Sequence, residues 1–193
     1  MKYEDAVDLL FQNPQKILAI SCLAHALERS QKLGARTVIS LLETKYKGFL
    51  PQIENVSHHV FFIEDSIKDV PDGMEDTVHK IIQLGQRWKE EGTFQKTLVH
   101  CYGGVSRSTA AAYVLLCSCF PNIEEKQLFQ IVTQKLTHKP LPNPLIAQLA
   151  DTYLNAEGRI LAPVIEYQNR YPERREAHIR RQRIWGIPHT QHV

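Results

Sequence analysis

Short apolar runs rich in β-branched residues alternate with segments of helical spacing through the first hundred residues. Four of these runs predict β-strands, at residues 17–23, 37–42, 57–63 and 97–100. Between them, helical spacing covers residues 25–33, which Gly34 ends, and about 74–91, where apolar positions recur every three to four residues. The pattern therefore predicts strands joined by helices.

After about residue 108 the pattern becomes helical throughout. Helices are predicted at about 108–119, 123–136 and 144–156, with prolines at the breaks. Alternating strands and helices followed by helices alone indicate an α/β fold, with a central, mostly parallel sheet flanked by helices on both faces. We expect one folded domain at residues 1–160 and a basic, helical C-terminal extension at residues 161–193.

Composition excludes several classes of protein. The chain has 193 residues, 43% hydrophobic and 23% charged, which is ordinary for a soluble globular protein. A net charge of +2, with no basic run interleaved with aromatic residues, argues against nucleic-acid binding. No apolar run approaches the roughly 18 residues of a membrane span, and the N-terminal segment lacks a secretory apolar core. We expect a cytoplasmic protein.

The four cysteines fit a reducing compartment. Cys22, Cys117 and Cys119 lie in apolar segments and behave as small hydrophobic residues. No cysteine is spaced with histidine or another cysteine as zinc ligands are, so we expect no metal and no other cofactor.

The stretch at residues 97–108, TLVHCYGGVSRS, carries the chemistry. Its order is strand, glycine-containing loop and helix N-terminus, which aims backbone N–H groups and a helix dipole at one point and favours an anion. The same donors favour the thiolate of Cys101, and the planar fork of Arg107 suits two oxygens of a phosphoryl group. A buried structural cysteine would explain neither Gly104 nor Arg107. The site predicts nucleophilic attack on phosphorus.

The residues His100-Cys101-x-x-Gly104-x-x-Arg107-Ser108 resemble the HCxxGxxR(S/T) signature of the cysteine-dependent protein tyrosine phosphatase superfamily. The resemblance implies that Cys101 is the nucleophile, Arg107 clamps the transition state and His100 braces the loop by hydrogen bonds. It implies that Ser108 helps the thiolate leave, although that hydroxyl could instead serve as the helix N-cap. The loop amides would bind phosphoryl oxygens, at Tyr102, Gly103, Gly104, Val105, Ser106 and Arg107.

A phosphatase of this type needs an acid that protonates the leaving oxygen. Asp65 is the first choice because it follows a predicted strand, which places it at the same sheet edge as Cys101. Asp69 and Asp72 share its loop and are the rivals, and the alternative is that all three only form a polar turn.

A second motif lies at the break before the last of these predicted helices. Leu141-Pro142-Asn143-Pro144, with Gln148-Leu149 beyond it, resembles the PNxGFxxQL segment of dual-specificity phosphatases, although Leu145-Ile146 replace Gly-Phe. The resemblance implies that Asn143 stiffens the phosphate loop by hydrogen bonds.

The chain resembles the compact dual-specificity group, with an organisation similar to bacterial members. This implies a metal-independent phosphomonoesterase for phosphotyrosine in a protein or peptide, with phosphoserine and phosphothreonine left open. The loop at 102–106 contains no lysine, which argues against a polyanionic substrate such as an inositide. The alternatives are a phosphatase of a small-molecule or lipid phosphate, a non-catalytic phospho-binding module and, more remotely, a sulfurtransferase.

The C-terminal stretch from about residue 167 is rich in arginine and ends near Trp185 and Ile187. One interpretation is a solvated helix that folds back on the domain. The other is a docking segment for an acidic partner or for self-association. The arginines concerned are Arg174, Arg175, Arg180, Arg181 and Arg183.

Overall fold

A four-stranded, wholly parallel sheet forms the centre of the protein. The structure, a computed structural model, describes the backbone of residues 1–184 and the side chains of residues 1–180. The strands are β1 (Leu18–Cys22), β2 (Thr37–Leu42), β3 (Ser57–Phe62) and β4 (Thr97–Cys101). Their spatial order is β1-β4-β2-β3. The predicted α/β class with a parallel sheet is confirmed.

Eight α-helices surround this sheet within the described residues. They are α1 (Tyr3–Gln12), α2 (Ala26–Leu33), α3 (Met74–Glu90), α4 (Arg107–Cys119), α5 (Glu125–Gln130), α6 (Pro144–Tyr153), α7 (Leu161–Arg170) and α8 (Pro172–Ile184). A wider, π-helical turn at Ile131–Leu136 continues α5, so the helix predicted at 123–136 changes its winding halfway.

The helices bury both faces of the sheet. Helix α2 covers one face, where Ala26 and Leu33 pack with Val38 of β2 and Leu98 of β4. The other face carries the larger core, built around α4 with α3 and α6 packed on it. Every residue of α4 is buried, which explains why the sequence of that helix lacks a polar face.

Helices α3 and α4 approach closely at a glycine. A Cβ on Gly85 of α3 would lie 2.7 Å from the Cβ of Ser118 on α4, so no larger residue fits without displacing one of the helices. This close packing fixes α4, and with it the loop that precedes α4.

The C-terminal extension forms α7 and α8 as far as residue 184, and Trp185 and Ile187 lie outside the described residues. Val164 of α7 is buried in the main core. None of the helices within residues 1–184 combines the length and apolarity that crossing a bilayer requires.

Candidate active site

The loop between β4 and α4 wraps tightly around the end of β1. Gly104 has φ +68°, and a Cβ there would lie 2.6 Å from the backbone N of Cys22 and 2.6 Å from the carbonyl carbon of Ser21. Only glycine tolerates both the left-handed backbone and this contact. Gly104 therefore sets the path of the loop from Cys101 to Arg107.

Three carbonyl groups of the loop, at residues 102, 105 and 106, accept hydrogen bonds from residues outside it. Leu23 N–H donates to Tyr102 O at 3.1 Å, Leu141 N–H to Val105 O at 3.1 Å and Asn143 N–H to Ser106 O at 3.4 Å. In a trans peptide the N–H points opposite to the C=O. The N–H groups of residues 103, 106 and 107 therefore face the inside of the loop, as an anion-binding nest requires.

The sulfur of Cys101 lies inside this nest. The Cys101 side chain is buried, its Sγ accepts the Gly104 N–H at 3.2 Å, and Ser108 Oγ lies 3.1 Å from the sulfur. Helix α4 begins at Arg107, with Ser106 in the capping position, so Ser108 is not the N-cap. The Ser108 hydroxyl is placed to donate to a negatively charged sulfur.

Arg107 is a buried cation held from two strands. Its Nη1 donates to Ile63 O at 2.7 Å and its Nη2 donates to Glu43 Oε1 at 2.9 Å, with only 1% of the residue exposed. Burial opposes the charge, but Asp65, Cys101 and Glu43 raise the pKa of Arg107. Its buried Nε has no hydrogen-bond acceptor among the described residues. That Nε–H is a donor which a phosphoryl oxygen could satisfy.

Asp65 lies beside Arg107, buried at the same edge of the sheet. Its Oδ1 accepts hydrogen bonds from Ser106 Oγ at 2.7 Å and from Asn143 Nδ2 at 3.0 Å. Its Oδ2 lies 3.8 Å from Arg107 Nε and 3.3 Å from His178 Nε2. Burial raises the pKa of the Asp65 carboxyl, but Arg107 and then His178 and Ser106 outweigh burial and hold that pKa well below its ordinary value.

The rival acids lie elsewhere. Asp69 and Asp72 are both exposed in the loop after β3, and Asp69 contributes only a backbone N–H, 3.3 Å from Ser66 Oγ. Among the three aspartates of this loop, Asp65 is the one brought beside Arg107.

Asn143 links the loop after β3, which carries Asp65, to helix α6. Its Nδ2 donates to Asp65 Oδ1 and to Ser66 O, while its Oδ1 accepts from Leu145 N at 3.0 Å and Ile146 N at 3.2 Å as the N-cap of α6. Only its backbone N–H reaches the phosphate loop, at Ser106 O. Its side chain thus bonds to the loop after β3, whereas the resemblance of the sequence motif implies a side-chain bond to the loop between β4 and α4.

His100 lies within the sheet, one residue before Cys101. Its Nε2 is 2.6 Å from Ser40 Oγ on β2, and the same hydroxyl is 2.7 Å from His58 Nε2 on β3. Burial, and secondarily the charge of His58, lower the pKa of His100 to about 4. The residue is therefore neutral at physiological pH, and its contact joins β4 to β2.

Sequence reasoning missed three features of this site. Glu43 directly follows β2, much as Asp65 comes soon after β3, and the same strand-end argument would have found it. Tyr46 stacks on Tyr102 with ring centroids 4.5 Å apart, in a turn that otherwise has a polar pattern. No sequence signal places His178, far along a basic helix, against Asp65.

No protein-family model and no curated protein sequence matches the chain. Solved structures do share its fold, among them structures of dual-specificity and tyrosine phosphatases. A human tyrosine phosphatase-like serine/threonine/tyrosine-interacting protein matches with a TM-score of 0.56 and 18% identity, over 72% of this chain and 92% of its own. Human DUSP28 matches with a TM-score of 0.54 and 17% identity over the same shares. PTPMT1 in complex with PI(5)P matches with a TM-score of 0.52 and 16% identity, over 76% and 94%.

The fold of this chain is thus that of the dual-specificity phosphatase group. The resemblance drawn from the sequence around Cys101 is confirmed at the level of the fold.

The buried neutral His100 predicts a pH dependence of stability. Because the pKa of His100 is about 4 in the folded protein and about 6.5 in an unfolded chain, protons bind the unfolded state first as the pH falls. The contribution of His100 is complete above about pH 6.5 and is lost between pH 6.5 and 4, up to about 3 kcal/mol. Urea unfolding at pH 7.5 and 4.5 should show a smaller loss for His100→Asn than for the wild type. The exposed-site control His79→Asn should behave like the wild type, and equal losses in all three proteins would contradict the assignment.

Proposed function

We propose that this protein is a phosphomonoesterase that hydrolyses phosphotyrosine in proteins or peptides through a cysteinyl-phosphate intermediate at Cys101. The observation that carries the proposal is the convergence of three buried groups at one sheet edge. The Cys101 sulfur lies in a nest of inward-facing amides, Arg107 presents an unsatisfied Nε–H, and the Asp65 carboxyl lies 3.8 Å from that nitrogen. These are a nucleophile, an anion clamp and an acid.

In the first step the Cys101 thiolate attacks phosphorus. A sulfur–phosphorus bond forms as the bond from phosphorus to the leaving oxygen breaks, and the electron pair goes to that oxygen. Because the bound phosphoryl dianion offsets the charge of Arg107, which lowers the pKa of Asp65 in the free protein, the Asp65 carboxyl can hold a proton in the complex and gives it to the leaving oxygen. Arg107 and the amides of residues 103, 106 and 107 hold the equatorial oxygens, where negative charge is greatest in the transition state.

In the second step water breaks the intermediate. The water oxygen attacks phosphorus, its proton passes to the Asp65 carboxylate, and the electron pair of the sulfur–phosphorus bond returns to Cys101. Ser108 Oγ, 3.1 Å from the sulfur, donates a hydrogen bond to the departing thiolate. The two steps return every residue to its starting state, and neither calls for a metal or another cofactor.

An aromatic surface beside the loop favours an aryl phosphate substrate. Tyr46 stacks on Tyr102 of the phosphate loop, and Phe49, 67% exposed, contacts Tyr46 edge-on at 6.5 Å between ring centroids. A phosphotyrosine ring gains contact area and ring–ring attraction against such a surface, which a phosphoserine side chain cannot. The lysine-free loop agrees with a substrate that carries one phosphate.

Two alternatives have support from the comparisons. PTPMT1, which shares the fold, is solved in complex with PI(5)P, and this supports a lipid phosphate as the alternative substrate of the present chain. Another neighbour is named an interacting protein, which favours a phospho-binding module without turnover. Binding of an acidic partner, or self-association, through the basic C-terminal segment stays a prediction.

Replacing the proposed acid tests the mechanism. Asp65→Asn should lower kcat by about 10²–10⁴-fold on phosphotyrosine peptides, because their phenoxide leaves poorly without a proton. The loss should be much smaller for an aryl phosphate whose leaving group has a low pKa. Asp69→Asn is the matched control, since Asp69 is an exposed aspartate of the same loop, and it should change kcat only a few-fold. A large, leaving-group-dependent loss in Asp69→Asn would move the acid to Asp69.

A substrate panel tests the specificity. The wild-type protein should show its highest kcat/KM on phosphotyrosine peptides, ahead of phosphoserine peptides, phosphoinositides and sugar phosphates, and chelator should not change these rates. Tyr46→Ala should lower kcat/KM for phosphotyrosine peptides about 5-fold, in line with roughly 1 kcal/mol for one ring contact. Tyr153→Ala, which removes an exposed ring from α6, is the control. A phosphoinositide as the best substrate would favour the lipid alternative, and binding without turnover would favour the module.

A further inference from the structure

Helix α8 carries a histidine into the site just described. His178 is 5% exposed, and its Nε2 lies 3.3 Å from Asp65 Oδ2. The other oxygen of Asp65 is occupied by Ser106 and Asn143, so His178 takes the oxygen that faces Arg107. The contact joins two parts of the chain more than a hundred residues apart in sequence.

Helix α8 is held in this place by independent contacts. Gln168 Nε2 of α7 donates to Pro142 O at 2.8 Å, next to the residue that binds Asp65 through its amide. The guanidinium carbon of Arg174 on α8 lies 3.8 Å from the centre of the Tyr171 ring and 5.4 Å from that of Tyr167. The helix pair is thus fixed against the domain, and His178 is not a chance surface contact.

The charges that face Asp65 come from every element packed on it. Arg107 of α4 and His178 of α8 are the groups that favour its carboxylate, with the neutral donors Ser106 and Asn143. Glu43 after β2 and Cys101 of β4 raise the pKa of Arg107, the cation that faces Asp65. A bound phosphoryl dianion offsets the charge of Arg107.

We propose that His178 is a positioning residue, whose Nε2–H holds the Asp65 carboxyl beside Arg107 and makes helix α8 a working part of the active site. The inference rests on the proposed function, in which Asp65 is the acid.

The pH profile of kcat/KM on a phosphotyrosine peptide tests the proposal. Its basic limb reports loss of the proton from the acid in the free enzyme. His178→Ala removes a hydrogen bond that favours the carboxylate, so the limb should move up by about one pH unit, the size expected for one hydrogen bond to a charged group. His178→Gln keeps an N–H donor and should stay near the wild type. The control His79→Ala changes an exposed histidine and should leave the basic limb unchanged. With an aryl phosphate whose leaving group has a low pKa as the substrate, none of the variants should shift the basic limb, because that leaving group does not need the acid.

A second readout does not depend on turnover. The titration of the Asp65 carboxyl carbon, followed by NMR, should move to higher pH in His178→Ala and not in His178→Gln. If His178→Ala does not fold, His178→Phe fills the same volume without a donor and takes its place. An unchanged Asp65 titration in the folded variant overturns the role of His178. A shifted titration in a protein without phosphatase activity supports the contact and overturns the proposed function instead.

Discussion

The site depends on one buried cation. Burying a guanidinium costs several kcal/mol unless its charge is matched, and here Glu43 accepts from Arg107 at 2.9 Å while Ile63 O accepts at 2.7 Å. Because these partners follow β2 and β3 and Arg107 begins α4, one side chain ties two strands to the helix that follows the Cys101 loop. Removing Glu43 would leave the guanidinium of Arg107 without its closest carboxylate. The loop that ends at Arg107 would then lose one of the contacts that hold it in place.

The parallel sheet is what makes this convergence available. Parallel strands bring their carboxyl ends to one edge, so Cys101, Glu43 and Asp65 meet although the chain separates them widely. The fully buried helix α4 then fixes the direction of the loop. Its close approach to α3 at Gly85 makes that direction rigid, so the amides of the loop are arranged before a phosphate arrives.

Local chemistry explains what the sequence could and could not predict. The four strands and the loop around Cys101 follow from β-branched runs and one glycine, and Asp65 follows from its position after a strand. Glu43 also follows a strand, but the polar residues after it are typical of an exposed turn and give no sign of a buried carboxylate. The contact between His178 and Asp65 depends on how α7 and α8 fold back, and a nearly all-polar basic helix carries no pattern that sets its orientation.

In the proposed reaction, the phosphoryl group passes through the sulfur of Cys101. The test is to quench the reaction with acid while the protein turns over a phosphotyrosine peptide. The protein is then digested, and the fragment that contains residues 97–108 is analysed by mass spectrometry. We predict one phosphate on Cys101 during turnover and none in Cys101→Ser, which should still bind the peptide through Arg107 and the loop amides. Turnover with no phosphate on Cys101, or with phosphate on another residue, would contradict the account.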